Sequence, residues 1–136
     1  MPTSPKRFRS SSQPTRQQQT RIYDNRRGSA ASRGYGRPWA KAAKGHMRNS
    51  PLCVGCLAAG DIVPAELVDH VEPHKGDTVK FWNTTLWQSS CRWHHDVVKQ
   101  RLELMWARGA ITIADLWIDS PFALKLAAKL RSEADG

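Results

Sequence analysis

At 136 residues with a net charge of +9, the chain has the length of one domain, and no apolar run in it approaches a membrane span. The N-terminus MPTSPKRFRS carries charge with no hydrophobic region behind it, which argues against a secretory signal and places the expected location in the cytoplasm. Three cysteines cannot all pair within one chain, and two of them stand as C-x-x-C, so metal binding is expected rather than disulfides.

The charge is unevenly spread. Residues 1–50 hold twelve Lys/Arg against Asp24 alone, whereas the remainder holds nine basic and eleven acidic residues. A basic arm beside a nearly balanced domain is the distribution expected of a protein that meets phosphates. From Met1 to Arg37 the composition is Ser, Gln, Arg, Pro and Gly, with Ile22 and Tyr23 as the only candidates for apolar contact. Burial there cannot offset the entropy of ordering, so residues 1–37 are expected to be a disordered basic arm.

The folded part is expected over residues 38–132, with its core at 50–108 and a short tail at 133–136. PWAKAAKGHMRN reads as a helix with proline in the first turn and Trp39, Ala42, Ala43 and Met47 facing inward. Pro51 ends it, and Gly55 inside CVGC is expected to supply the tight backbone of a metal-binding knuckle. Residues 65–71 make a strand on which Asp69 and His70 point to opposite faces. Asp77 then caps a helical turn ending near Phe81, and residues 84–90 return as a second strand. Residues 93–108 carry Val98, Leu102, Met105 and Trp106 at helical spacing and stop at Gly109. Residues 111–118 are a short helical or extended piece. A last helix over 121–131 offers Phe122, Leu124, Leu126 and Leu130 as its apolar side.

The chemistry concentrates between Cys53 and Lys99. Cys53, Cys56, Cys91 and His94 form C-x2-C…C-x2-H, three thiolates and an imidazole that suit a tetrahedral structural zinc ion. Asp69, His70, His74 and His95 remain. Asp69 and His95 are candidate ligands of a divalent cation, with His70 as a candidate general base. Two adjacent histidines cannot both face one ion, so His94 goes to zinc and His95 to a separate centre. Lys99 is either a phosphate contact or a solvated lysine on the helix surface, and His74 either a phosphate contact or an exposed turn residue.

The pattern C-x2-C…D-H-x2-P…C-x2-[C/H]-H-x3-K resembles the HNH endonucleases, particularly the small zinc-containing members of bacteriophages and prophages. The resemblance runs from about Trp39 to Arg108 and implies an α+β fold with a ββα-metal (His-Me finger) core, a structural zinc site and flanking helices. It implies His70 as general base and Asp69 and His95 as ligands of a catalytic Mg2+ or Mn2+. Cys53, Cys56, Cys91 and His94 match the zinc positions, with histidine where many relatives have a fourth cysteine. The implied reaction is DNA phosphodiester hydrolysis by an in-line water, as a nick or a double-strand cut, leaving a 5′ phosphate. A phage setting with terminase as a partner is also implied. The family's middle asparagine falls at Leu86, and Asn83 is the nearby residue that would support the base loop instead. Leu86 and the basic arm together suggest the alternative, a catalytically weakened, zinc-stapled DNA-binding or packaging-accessory module.

Overall fold

The computed structural model describes residues 15–19 and 31–135 and falls into two units, Met1–Arg37 and Pro38–Gly136. In the first unit, residues 16–19 form a helical turn closed by a capping box. Thr15 N donates to Gln18 Oε1 at 2.8 Å and Gln18 N donates to Thr15 Oγ1 at 3.1 Å. A π-helical segment follows at Ala31–Tyr35. Both stretches lie within the residues 1–37 expected to be an arm, and the second is kinked at Gly34, whose φ of 97° is not helical. The rest of the expected arm, with Ile22 and Tyr23, lies outside the described residues.

The second unit is small and α+β. Its sheet has two antiparallel strands, β1 (Leu67–His70) and β2 (Trp87–Ser90), in the register Leu67↔Ser90, Val68↔Ser89, Asp69↔Gln88 and His70↔Trp87. Alternation puts Val68, His70, Trp87 and Ser89 on one face and Leu67, Asp69, Gln88 and Ser90 on the other. A hairpin of this size is marginal alone, and here both faces are covered. Helix α1 (Arg37–Asn49) lays Trp39, Ala42, Ala43 and Met47 against Val68 and Trp87, the inward set expected from the sequence. The opposite side adjoins a larger cluster containing Val71, Val98, Leu102, Leu116, Ile118 and Leu126 together with the three cysteines.

The unit also contains α2 (Val54–Ala58), α3 (Thr78–Phe81), a 3-10 turn at Thr84–Leu86, and a π-helical turn at His94–Lys99 that continues into α4 (Gln100–Ala107). Asp77 caps α3 as expected, accepting from Val79 N at 2.9 Å and Lys80 N at 3.2 Å. A second 3-10 turn, Ile113–Leu116, is closed by a reciprocal cap between Thr112 and Asp115, and α5 (Pro121–Asp135) ends the unit.

Several boundaries differ from the sequence expectation for identifiable reasons. The second strand is shorter because Asn83 caps a 3-10 turn over Thr84–Leu86. The helix after Trp93 opens with a π turn rather than a regular α turn. The expected tail at 133–136 is instead helical as far as Asp135. On α5 the inward residues are Ala123, Leu126 and Ala127 while Phe122 is exposed, because two alanines let the helix approach its neighbours closely.

One buried side chain fastens the sheet to the C-terminal segment. Gln88, only 2% exposed, donates from Nε2 to Asp69 Oδ2 at 2.8 Å and to Leu116 O at 3.3 Å, and its Oε1 accepts from Ile118 N at 2.9 Å. An apolar residue of similar size fills the space but strands those groups. Gln88→Leu is therefore expected to destabilise the domain by about 2–4 kcal/mol in chemical denaturation; a change below about 0.5 kcal/mol would show that Gln88 is not the fastener.

Candidate functional site

The first centre grows from two similar turns. In each, the sulfur at the first position accepts a backbone N–H three residues on: Cys56 N donates to Cys53 Sγ at 3.5 Å, and His94 N donates to Cys91 Sγ at 3.5 Å. The hairpin then brings the turns together. Cys56 Sγ lies 3.8 Å from Cys91 Sγ, and His94 Nδ1 lies 3.6, 3.5 and 3.4 Å from the sulfurs of Cys53, Cys56 and Cys91. A tetrahedral zinc ion with bonds of about 2.3 Å to sulfur and about 2.0 Å to nitrogen needs sulfur–sulfur separations of about 3.8 Å and sulfur–nitrogen separations of about 3.5 Å. All four ligand atoms are buried and lie within 4.8 Å of one another, so this cluster can hold a structural zinc ion.

The thiol acidities bear on what such an ion would do there. Burial raises the Cys53 thiol, but hydrogen bonds from the His94 ring and backbone hydrogen bonds at Cys56 and Cys91 outweigh it and bring it to about 6. Burial and the neighbouring Cys53 and Cys91 sulfurs push Cys56 up to about 12, and burial also raises Cys91. Without a cation the protein can ionise one sulfur readily and not three. A divalent ion at the centre removes that penalty.

Gly55 has a different role from the one expected. It sits in α2, and a Cβ built there would lie 2.5 Å from His94 Cδ2 and 2.6 Å from His94 Nε2. The glycine makes room for the imidazole face, which lets Nδ1 turn toward the sulfurs.

The second grouping lies on the Asp69 face of the hairpin. Asp69 Oδ1 is 3.7 Å from His95 Nε2, while His95 Nδ1 is 2.8 Å from Asp96 Oδ1. A carboxylate can only accept, so the Asp96 contact puts the proton of a neutral His95 ring on Nδ1 and the Nε2 lone pair toward Asp69. The Asp69–His95 separation exceeds a hydrogen bond and suits two ligands of one ion. Among the described residues, no third carboxylate, imidazole or thiolate joins this pair in a ligand-spaced group.

Lys99 departs from both readings of the sequence. It is 1% exposed rather than solvated or turned to a phosphate, and Nζ donates to His70 O at 2.8 Å and Glu103 Oε2 at 2.7 Å and lies 3.0 Å from Asp69 Oδ2. Its ammonium thus has three acceptors, which accounts for its burial as a charge.

His70 is on the other face, 8% exposed, stacked on Trp39 at 4.7 Å and in ring contact with Phe81 and His74. Its Nε2 is 3.0 Å from Phe81 O, a carbonyl that also accepts Trp87 Nε1 at 3.1 Å. A carbonyl oxygen only accepts, so Nε2 carries the hydrogen and the neutral ring has its lone pair on Nδ1. Burial, then the His74 and Lys99 charges, lower His70 to about 4 against the opposing pull of the Phe81 bond. His74 is partly buried, its Nδ1 accepting from Gly76 N at 3.1 Å, and burial lowers its pKa as well. Asn83 accepts from Thr85 N at 3.2 Å and from the Thr85 hydroxyl, holding the turn that follows Phe81. Leu86 contributes its carbonyl, which accepts from Val71 N at 2.8 Å, while its side chain packs on the larger core cluster.

Asp96, Gln88 and Trp39 were not among the residues expected at the site. Asp96 follows the His-His pair directly, and that adjacency was the available signal. The parts played by Gln88 and Trp39 depend on strand register and helix docking. Comparison with protein-family models, with curated proteins and with solved structures yields no significant match.

Two outcomes follow. Purified protein is expected to carry about one zinc per chain, and Gly55→Ala and Cys91→Ser are each expected to lose it with marked destabilisation; a stable Gly55→Ala protein with full zinc would contradict the packing argument. For pH, His70 is neutral in both folded and unfolded chains above about 6.5. Between about 6.5 and about 4 the unfolded chain takes up the proton first, so stability falls as pH drops through that window. Urea denaturation of wild type and His70→Asn should therefore show the wild type losing more stability from pH 7 to pH 4.5, and parallel losses would refute the assigned shift.

Proposed function

We propose that the protein is a metal-dependent endonuclease of the HNH type, hydrolysing DNA phosphodiester bonds on a ββα-metal core stapled by zinc. The observation that carries this reading is the pairing of Asp69 Oδ1 with His95 Nε2 at 3.7 Å, the imidazole oriented by Asp96, beside a histidine held neutral on the adjoining strand position. Asp69 and His95 would hold the Mg2+ or Mn2+ ion, which supplies Lewis-acid stabilisation of charge on the scissile phosphate and the leaving 3′ oxygen.

In this reading His70 Nδ1 takes a proton from the attacking water, and the Nε2 bond to Phe81 O fixes the ring for that transfer. Trp39 and Phe81 restrict rotation of the imidazole. Asn83 supports the same loop from two residues beyond Phe81, which supplies the function the family pattern gives to position 86. Lys99 holds the Asp69 carboxylate and the His70 carbonyl to the helix, so that these two adjacent residues at the end of β1 keep their opposite directions. The strongly basic residues 1–37 supply phosphate contacts, and terminase is the partner to test in a phage setting.

A second reading is favoured by one contact. The Lys99 ammonium 3.0 Å from Asp69 Oδ2 opposes cation binding there, as expected of a zinc-stapled DNA-binding or packaging module with a weakened centre. Supercoiled plasmid separates the two. With Mg2+ or Mn2+, wild-type protein should nick it, and His70→Ala should lower the rate by about 10²-fold or more with zinc content unchanged. Asp69→Asn and His95→Ala should shift the metal requirement upward. Wild-type nicking no greater than that of His70→Ala would sink the enzyme reading and leave the binding module.

A further inference from the structure

The outward face of α1 has no role in the site described above. Its sequence, RPWAKAAKGHMRN, contains no acidic residue. Lys41, Lys44 and Arg48 are spaced i, i+3 and i+7 and are all exposed, on the side of the helix away from the buried Ala43. None of the three makes an ion pair with an acidic group among the described residues. Like charges at i,i+3 and i,i+4 repel, so Lys41–Lys44 and Lys44–Arg48 oppose the helix that carries them. The stripe is therefore an arrangement that intramolecular stability disfavours and a polyanion relieves.

We infer that this face, Lys41, Lys44 and Arg48, binds the phosphate backbone of duplex DNA as an anchor separate from the Asp69–His95 pair; the inference rests on the nucleic-acid part of the proposed function. The three residues span about 10 Å of helix rise, against one duplex charge per about 1.7 Å, so about six phosphates lie within reach of the stripe. The inner face of the same helix is seated on the sheet by Trp39, whose ring stacks on His70 at 4.7 Å. That seating fixes the stripe relative to the candidate base and places it across the helix, about 10 Å thick, from that residue. Phosphates held there are not the ones cleaved. The stripe thus contributes binding and leaves the chemical step alone.

The test uses the full chain with zinc bound and the triple variant Lys41→Gln, Lys44→Gln, Arg48→Gln. Anisotropy titrations of a labelled 20-base-pair duplex, without Mg2+ or Mn2+, should show the slope of log K against log salt falling in magnitude by about 2–3. Affinity should drop at least about tenfold at 100 mM salt, while the thermal midpoint stays level or rises. A charge-matched control, Arg108→Gln, Lys125→Gln, Lys129→Gln, should leave the slope within about 1 of wild type. In plasmid nicking the stripe variant should raise KM and keep kcat within about twofold. An unchanged slope, an equal loss in the charge-matched control, or wild-type binding to anionic phospholipid vesicles but not to the duplex would each overturn the inference. Intact nicking with an unchanged slope removes this surface alone, and stripe-dependent binding without nicking removes the nuclease reading alone.

Discussion

Three sulfurs and one imidazole nitrogen within 4.8 Å of one another tie residues 53–56 to residues 91–94, and the placement of nearly everything else depends on that tie. The two-stranded sheet is too small to hold itself, and α2 is a five-residue turn with no independent stability. The cysteines belong to the same apolar cluster as Val98, Leu102, Leu116 and Leu126, so metal binding there and core formation would be one event. An ion that neutralised the crowded sulfurs would also dock α2, β2 and the helix after Trp93.

The same helix start couples the two centres. His94 and His95 are neighbours on a π turn, the first directed to the sulfurs and the second to Asp69. The wider turn also leaves Val98 and Lys99, consecutive residues, both buried. Anything that releases His94 therefore loosens His95 and the Lys99 clamp on β1. Loss of zinc is expected to weaken the Asp69–His95 pair even though that pair contains no zinc ligand.

Much of this was legible in the sequence where spacing and residue type coincide. C-x2-C…C-x2-H names a metal cluster without any knowledge of tertiary structure, and strand alternation alone assigns Asp69 and His70 to opposite faces. Lys99 was not legible, because a lysine late in a helical turn is nearly always solvated. Only the docking of that turn on β1 gives its ammonium three acceptors. Gly55 was read for the wrong reason: a glycine between two cysteines suggests a tight turn, whereas its actual constraint is the imidazole ring of His94, far away in sequence. Phe122 fails similarly, since periodicity marks the apolar residues of α5 but not that Ala123 and Ala127 would set its distance of approach.

Leu86 looks like the weakest point of the proposed site only if side chains are matched one by one. What the hairpin requires there is a carbonyl for Val71 N, which any residue supplies. What His70 would require as the proposed base is a fixed acceptor for its Nε2, and Phe81 O meets that need because α3 is capped by Asp77 on one side and the following turn by Asn83 on the other. The support is thus spread over two short caps rather than concentrated in one asparagine. A leucine at 86 then serves the core, packing on the cluster that the metal ligands share. The more serious demand falls on Asp69, whose second oxygen is already engaged by Lys99 and Gln88. Both hold that oxygen and not Oδ1, so the carboxylate is oriented with one oxygen fastened to the scaffold and the other toward His95. A carboxylate so divided would lose little entropy on taking up the proposed cation, which would offset part of the repulsion from the lysine that holds it.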